Sequence, residues 1–398
     1  MTKKATTAVV IGGGVAGPVT AAALAKAGIE ATVYEAYPGR PEGVGGTLAL
    51  AANGKRALGV LGADEAIAEI GDPVSAQDLT VRNRRFSVPQ LPDVGPMWTV
   101  HRADLHRVLH ERAEAMGVRF AFGKRLESIR EDGDGATAVF SDGSEAGADV
   151  VVGADGLYST VRSLIDPANP GPRYTGMLSF EAVSDHEVPV GPEVMNFAFG
   201  RRGYYLYWRL AQGGTRWGVN LPHPDPMSIK EVRARANEAW LARLLELYGD
   251  DDPGAELLRR TPPERLLGHG SLWIMPSVPV WHRGRAVLVG DSVHAPSNSS
   301  GQGASLAVES GIELARCLRD LPVPEAFAAY VRLRRARVEG IAANAAKINR
   351  AKAPGPFAQA VMPLLMPLVL KTAMDPEKTL GPIQRHRLDW DARVAAGV

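Results

Sequence analysis

Between a short apolar run, Thr7–Ile11, and a stretch of small residues, Ala16–Ala27, the chain reads Gly12-Gly13-Gly14-Val15-Ala16-Gly17. A G-x-G-x-x-G pattern set between a strand and a helix constrains the fold more than any other feature of the sequence. Gly12 permits a tight turn, Gly14 lets the backbone approach a pyrophosphate, and Gly17 lets the helix lie close against the strand. The helix start offers free N–H groups and a partial positive charge to phosphates. Gly28 stops the helix and Ile29–Glu35 reads as a second buried strand, which completes a β-α-β unit. Glu35 falls near the spacing of about 20 residues at which a carboxylate accepts from a ribose hydroxyl. A carboxylate there suits a free 2′-OH and repels a 2′-phosphate, so FAD or NAD fits better than NADP.

The chain has 398 residues, more than the roughly 250–300 at which one hydrophobic core stops growing, so two domains are expected. Arg102–Met116 reads as an amphipathic helix with Leu105, Val108, Leu109 and Ala113 on one face. Strands follow at Arg119–Phe122, Leu126–Glu131 and Ala136–Phe140, the last two joined by an Asp132-Gly133-Asp134-Gly135 turn. Near Thr175 the character changes. Val194–Phe199, Tyr204–Leu210 and Arg216–Leu221 are aromatic-rich runs separated by glycine-containing turns, the pattern of an antiparallel meander. Ile229–Tyr248 reads as one helix able to cover a face of that sheet. A buried strand at Ala286–Gly290 and helices at Ala304–Leu318 and Pro324–Lys352 return to the opening style. Arg332, Arg334, Arg335 and Arg337 cluster on the last of these, which reads as a solvated face rather than an anion site.

Two further motifs bear on chemistry. Asp149-Val150-Val151-Val152-Gly153-Ala154-Asp155-Gly156, followed by Ser159 and Arg162, runs a strand into an Asp-Gly turn and a helix start. Alone it is an ordinary turn with a helix cap. Gly284-Arg285-Ala286-Val287-Leu288-Val289-Gly290-Asp291-Ser292-Val293-His294, continuing through Gly301-Gln302-Gly303-Ala304-Ser305, delivers Asp291 to a strand's end and opens a second helix. A short carboxylate there can hold a polyol hydroxyl, and the helix N-terminus can face an anionic ring edge.

In this order the three motifs, with Trp98-Thr99-Val100-His101-Arg102-Ala103-Asp104-Leu105 as a fourth matching segment, resemble the class A FAD-dependent aromatic hydroxylases, flavoprotein monooxygenases with the para-hydroxybenzoate hydroxylase fold. The resemblance implies an α/β fold: a Rossmann-like FAD-binding domain interleaved with a smaller antiparallel-sheet substrate domain, plus C-terminal helices. The expected boundaries are 1–73, 99–175 and 270–350 for FAD binding, 74–98 and 176–269 for the substrate sheet, and 351–398 for a C-terminal helical segment. It further implies that Gly12, Gly14, Val15 and Ala16 hold the FAD pyrophosphate and that Glu35 and Ala36 bind the adenosine ribose region. Leu48 and Leu126 would make backbone contacts, and Arg102 would meet the phosphate–ribityl part. Asp155 would serve FAD and the reduced nicotinamide, Asp291 the ribityl chain, and Gly301, Gln302, Gly303, Ala304 and Ser305 the flavin pyrimidine edge. Two positions depart from the family: Asn298 stands where Pro is usual, four residues after His294, and Ser300 where Gly is frequent. His294 reads as structural rather than as an acid–base group.

The chemistry implied by the resemblance is oxidation of NADH or NADPH by FAD, addition of O2 at C4a, and transfer of one oxygen from the flavin hydroperoxide to an aromatic or polycyclic molecule. No catalytic side chain is assigned, and no metal or protein nucleophile is needed. Alternation puts Asn196, Ala198, Tyr205 and Tyr207 on one side of the meander and Met195, Phe197, Phe199, Tyr204, Leu206 and Trp208 on the other. Sequence leaves open which side meets the flavin; Asn196, Tyr205 and Tyr207 are the substrate-binding candidates. Alternatives are a same-fold flavin oxidoreductase that does not hydroxylate and a non-catalytic flavin-binding protein.

The net charge of +1 supplies no bulk field for nucleic acid or an anionic membrane. One cysteine, Cys317, excludes an intramolecular disulfide, and its helical context reads as core. The apolar run Met362–Leu370 is too short to span a membrane and reads as a buried packing segment. A cytoplasmic monomer or homodimer, with neither nucleic-acid nor membrane partner, is expected.

Overall fold

The structure is a computed structural model that describes residues 3–40, 45–81, 84–351, 366 and 375–396. Thr7–Ile11 lies inside a six-stranded sheet whose spatial order is 282–283, 286–288, 150–153, 7–11, 30–35, 119–122. Neighbours run parallel except for the 282–283 edge. Parallel strands are covered on both faces, which is why these segments are continuous apolar runs without alternation. Val10, Val150, Val151, Val152, Val287 and Leu288 are all fully buried. The helix Ala16–Lys26 packs between this sheet and the helix Gly303–Asp320, with Arg102–Ala115 alongside it.

A second, seven-stranded sheet has the order 267–274, 173–184, 215–222, 204–209, 194–199, 76–81, 84–88. All its pairings are antiparallel except 76–81 with 194–199. The aromatic meander is therefore the middle of a larger sheet to which an earlier segment adds two strands. Phe180, Tyr205, Tyr207, Trp217 and Val219 form its covered face, under helices Asn237–Tyr248 and Gly254–Arg259. The expected helix over Ile229–Tyr248 is instead two, Ile229–Arg233 and Asn237–Tyr248. The Trp240 indole N–H donates to the Val232 carbonyl at 2.9 Å, so an aromatic ring takes an acceptor at the end of the first helix and the chain turns there.

The arginine cluster corrects a second expectation. Arg334 on the helix Val323–Ala351 is only 1% exposed and pairs with the equally buried Glu309 at 2.8 Å; Arg337 binds the same carboxylate at 2.9 Å. Burial raises the Glu309 carboxyl, but the two guanidinium groups outweigh it and bring the group to about 2. A count of like charges along one helix does not reveal that a neighbouring helix carries a carboxylate facing them. Cys317 is core, and burial pushes its thiol up to about 12. The Met362–Leu370 run lies outside the described residues except for Met366, which is buried beside Leu79 and Val81. Among the described residues no helix is long and apolar enough to cross a membrane.

Candidate active site

At the carboxyl end of the parallel sheet, Gly12 has φ +105°, and a side chain there would meet the Ala154 carbonyl oxygen at 2.5 Å. Gly17 is equally committed: a Cβ would sit 1.8 Å from the Gly12 oxygen. Above Gly14 nothing approaches within 4 Å, so the loop is tight behind and open in front. No side chain caps the helix Ala16–Lys26, and its leading N–H groups face that open side. Glu35 accepts from the Gly13 N–H at 2.6 Å and from the Tyr37 N–H at 2.9 Å, which sets the carboxylate beside the loop. Ala36 follows it, and Leu126 lies buried just past Lys124, whose N–H donates to the Glu35 carbonyl. His110, unread in the sequence, supports the loop from behind: its Nε2 meets the Gly13 carbonyl oxygen at 2.6 Å while the ring stacks on Phe120. Burial lowers its pKa, so the neutral ring donates to that carbonyl. Its third-turn position in an amphipathic helix is the only sign of burial in the sequence.

The second and third motifs are joined. Arg162 donates to the Ser292 carbonyl and to the Leu157 carbonyl, both at 2.8 Å, and the Ser292 hydroxyl donates to the Gly153 carbonyl at 2.6 Å. Asp155 spends both oxygens locally, accepting from the Ser159 hydroxyl at 2.5 Å and the Val161 N–H at 3.1 Å, and so anchors the helix Thr160–Ile165. Asp291 is different. It is exposed in the cleft, and no described residue hydrogen-bonds its carboxylate. Surrounding protein thins its hydration and raises its pKa, with Arg102 acting in the opposite sense. Arg102 is exposed too, its backbone N–H tied to the Gly46 carbonyl at 3.0 Å and its side chain lying over Gly45. Leu48 sits in the strand Thr47–Leu50, which pairs with Met97–His101 just before Arg102. An unpartnered acid and an unpartnered base thus face one cleft between two helix starts, an arrangement that fits a polyol and a pyrophosphate.

The second helix start is likewise uncapped, leaving the N–H groups of Gly303, Ala304 and Ser305 without a partner among the described residues. Gly301 and Gly303 have nothing within 4 Å of where a side chain would project. Asn298 and Ser300 belong to one 3-10 turn, in which the Asn298 carbonyl accepts from the Gly301 N–H at 3.1 Å. The turn therefore closes by a hydrogen bond where the family has a proline ring. Gln302 points inward, its Oε1 taking an N–H of Asn53 at 3.0 Å, and Asn53 also donates to Glu309 at 2.7 Å. His294 is buried against Ser310 at 3.0 Å; burial, then Arg334, lower it to about 3, so it stays neutral inside the core.

The substrate candidates fall on the other side from the cleft. Tyr205 and Tyr207 are buried among the helices, and Asn196, fully buried, pairs with Tyr207 in register. The reason is coverage: helix Asn237–Tyr248 occupies that face, with Tyr248 packed edge-on against Tyr205. The opposite face carries Phe197, Leu206 and Trp208, in one apolar cluster with Val74 and Met97. Beside them, Glu181 accepts from the Thr47 N–H at 3.0 and 3.1 Å, and Arg216 donates to the Thr47 hydroxyl at 2.9 Å. These contacts bind the sheet to the strand Thr47–Leu50 that carries Leu48, which turns this face toward the cleft.

Comparison with known proteins shows the family and the fold. A family model described as an FAD binding domain matches residues 5–207. The aurachin C monooxygenase/isomerase of Stigmatella aurantiaca is 30% identical over 359 residues, covering 87% of this chain and 90% of that protein. The FAD-dependent monooxygenase OpS4 of Beauveria bassiana is 32% identical over 370 residues, 85% of this chain and 83% of its own. The crystal structure of Klebsiella pneumoniae HpxO with FAD and uric acid superposes with a TM-score of 0.79 at 22% identity, over 96% of each chain, a likeness of fold.

Proposed function

The chain belongs to the FAD-dependent monooxygenases, and from that premise we propose that it inserts one oxygen atom from O2 into a planar aromatic or polycyclic small molecule. FAD is its cofactor, with NADH or NADPH as electron donor. The observation that carries the site assignment is the exposed, unpartnered Asp291 opposite Arg102, between two uncapped helix starts. Bound FAD supplies the redox and oxygen chemistry. The chain's part is to bind, orient and exclude water. Gly12, Gly14, Val15 and Ala16 take the pyrophosphate, Glu35 and Ala36 the ribose region, and Leu48 and Leu126 contact the cofactor through backbone. Arg102 neutralises phosphate charge while Asp291 accepts from ribityl hydroxyls. The N–H groups along Gly301, Gln302, Gly303, Ala304 and Ser305 stabilise negative charge on the ring edge they face. Asp155 serves indirectly, by anchoring the loop that Arg162 ties to Ser292.

The substrate lies against Phe197, Leu206 and Trp208 rather than Tyr205 and Tyr207, since only the former line the face turned to the cleft. The FAD-binding part comprises 1–73, 99–175 and 270–350, and the substrate sheet 74–98 and 176–269, with strand ends at Arg173 and Ile274 overlapping each boundary. Near-neutral charge and a single cysteine support a cytoplasmic protein without a nucleic-acid partner. The test is the purified protein's flavin. Wild type should retain FAD, and Asp291→Asn and Arg102→Ala should each lower its occupancy while the far-ultraviolet circular dichroism stays unchanged. Full occupancy in both variants would refute the site assignment.

A further inference from the structure

We propose that a neutral pocket beside the cleft, lined by glutamines, holds one ring of the substrate and selects uncharged molecules that carry an amide or lactam group; this rests on the monooxygenase reading above. A cavity of about 130 Å³ lies where the strand Ala76–Val81 begins, under the loop 89–96 and the C-terminal helix Gly381–Gln384. A cavity of about 150 Å³ accommodates benzene, so this one is sized for a single ring.

Its walls divide by chemistry. Val74, Leu91 and Met97 give apolar surface for a ring face, and Gln77, Gln90 and Gln384 give amides. The Gln90 amide N–H donates to the Val88 carbonyl at 3.1 Å, which leaves its oxygen to accept. The amides of Gln77 and Gln384 have no partner among the described residues. A primary amide both donates and accepts, and a ligand with an adjacent N–H and C=O satisfies it in both senses. No charged side chain is among the described residues that line the cavity. An arene carboxylate entering it would shed hydration and find no cation in return.

The pocket borders both halves of the cleft. Val74 and Met97 share an apolar cluster with Trp208 on the open face of the sheet. Ala52, one of its lining residues, follows Ala51, whose N–H donates to the Ser305 hydroxyl at 3.1 Å where the second helix starts. Its outer wall is fastened by Arg385, which holds both oxygens of Asp93 in the 89–96 loop at 2.7 Å and also pairs with Glu377. The C-terminal helices thereby become part of a recognition surface.

The test uses the FAD-loaded enzyme with 2-quinolone, benzamide and benzoate as probes, and reads binding by titration calorimetry without turnover. We expect 2-quinolone or benzamide to bind at least about tenfold tighter than benzoate. Gln77→Leu and Gln384→Leu should each weaken the neutral probe about three- to tenfold, the loss of one hydrogen bond, with FAD content unchanged. Gln384→Lys should strengthen benzoate binding, a gain that misfolding cannot mimic. Benzoate binding as tightly as the neutral probes, no binding by any probe, or indifference to the glutamine variants would overturn the proposal. Glutamine-dependent binding by an enzyme that never consumes O2 would sink the monooxygenase reading and leave the pocket standing. Normal turnover with glutamine-independent binding would do the reverse.

Discussion

Replacing Gly17 by alanine puts a methyl carbon 1.8 Å from the Gly12 carbonyl oxygen, where real contacts stay above 3.0 Å. The helix Ala16–Lys26 must then withdraw from its strand by about 1.2 Å, and overpacking of this kind costs about 1–3 kcal/mol. Alanine returns about 0.8–1 kcal/mol through helix propensity, so the net loss is about 2 kcal/mol at the upper end of that range. At about 2.1 cal/mol/K of unfolding entropy per residue, 398 residues convert this to a fall in Tm of about 2–3 °C. Function should suffer more than stability, because the shift moves the loop whose open side faces the pyrophosphate. Loss of even one charge-assisted hydrogen bond of about 1.5–3 kcal/mol weakens FAD by more than about tenfold. The assay pairs thermal melting of flavin-free protein with FAD titration followed by flavin fluorescence. Gly340→Ala is the control: it lies in the helix Val323–Ala351 with nothing within 4 Å, and should leave both readouts unchanged or raise Tm slightly. A Gly17→Ala protein with wild-type Tm and FAD affinity would refute the packing argument.

Glu309→Gln removes the carboxylate paired with buried Arg334, leaving it only the Coulombic pull of Glu313, itself paired with Arg316, and should cost about 3–5 kcal/mol, part of which Arg334→Met restores in the double variant; equal losses in single and double variants would contradict the pairing. His294 is held down to about 3 in the fold but titrates near 6.5 when unfolded, so the unfolded chain binds the extra proton between those values. Its stabilising contribution is complete above pH 6.5 and declines as pH falls, by up to about 1.4 kcal/mol per pH unit, and His294→Gln should flatten that part of the melting profile. Leu206→Ala should raise KM for an aromatic substrate several-fold, whereas Tyr207→Phe should leave KM unchanged; the opposite pattern would return the substrate to the helix-covered face.

The parallel half of the molecule was legible because its physics is local. A glycine loop needs its glycines at fixed offsets, and a strand covered on both faces is an uninterrupted apolar run, as Val150–Gly153 is. The substrate sheet was legible only in part. Alternation separated Tyr205 and Tyr207 from Leu206 and Trp208, but both faces are aromatic, and which one is covered depends on a helix arriving from residues 237–248. Strand 76–81 joins the sheet by a parallel contact with a segment more than a hundred residues later, which no turn announces, and 84–88 enters only as its antiparallel edge neighbour. Buried charge was the least legible. Glu309, Arg334 and Arg337 look like solvent-facing residues on two helices, and only the packing of those helices turns them into a network reaching Gln302 through Asn53. Glu181 and Arg216 are the same case: each is unremarkable in its strand until Thr47 is brought between them.

The central claim, transfer of an oxygen atom from O2 to an aromatic ring, is tested most directly with isotopic oxygen. The FAD-loaded enzyme is supplied with NADH or NADPH and a set of phenols, indoles and polycyclic aromatics under ¹⁸O2, and products are weighed by mass spectrometry. At least one compound should accelerate NAD(P)H oxidation and gain a single ¹⁸O atom. Substrate-stimulated NAD(P)H oxidation that yields only hydrogen peroxide, or a product whose new oxygen comes from water, would contradict it.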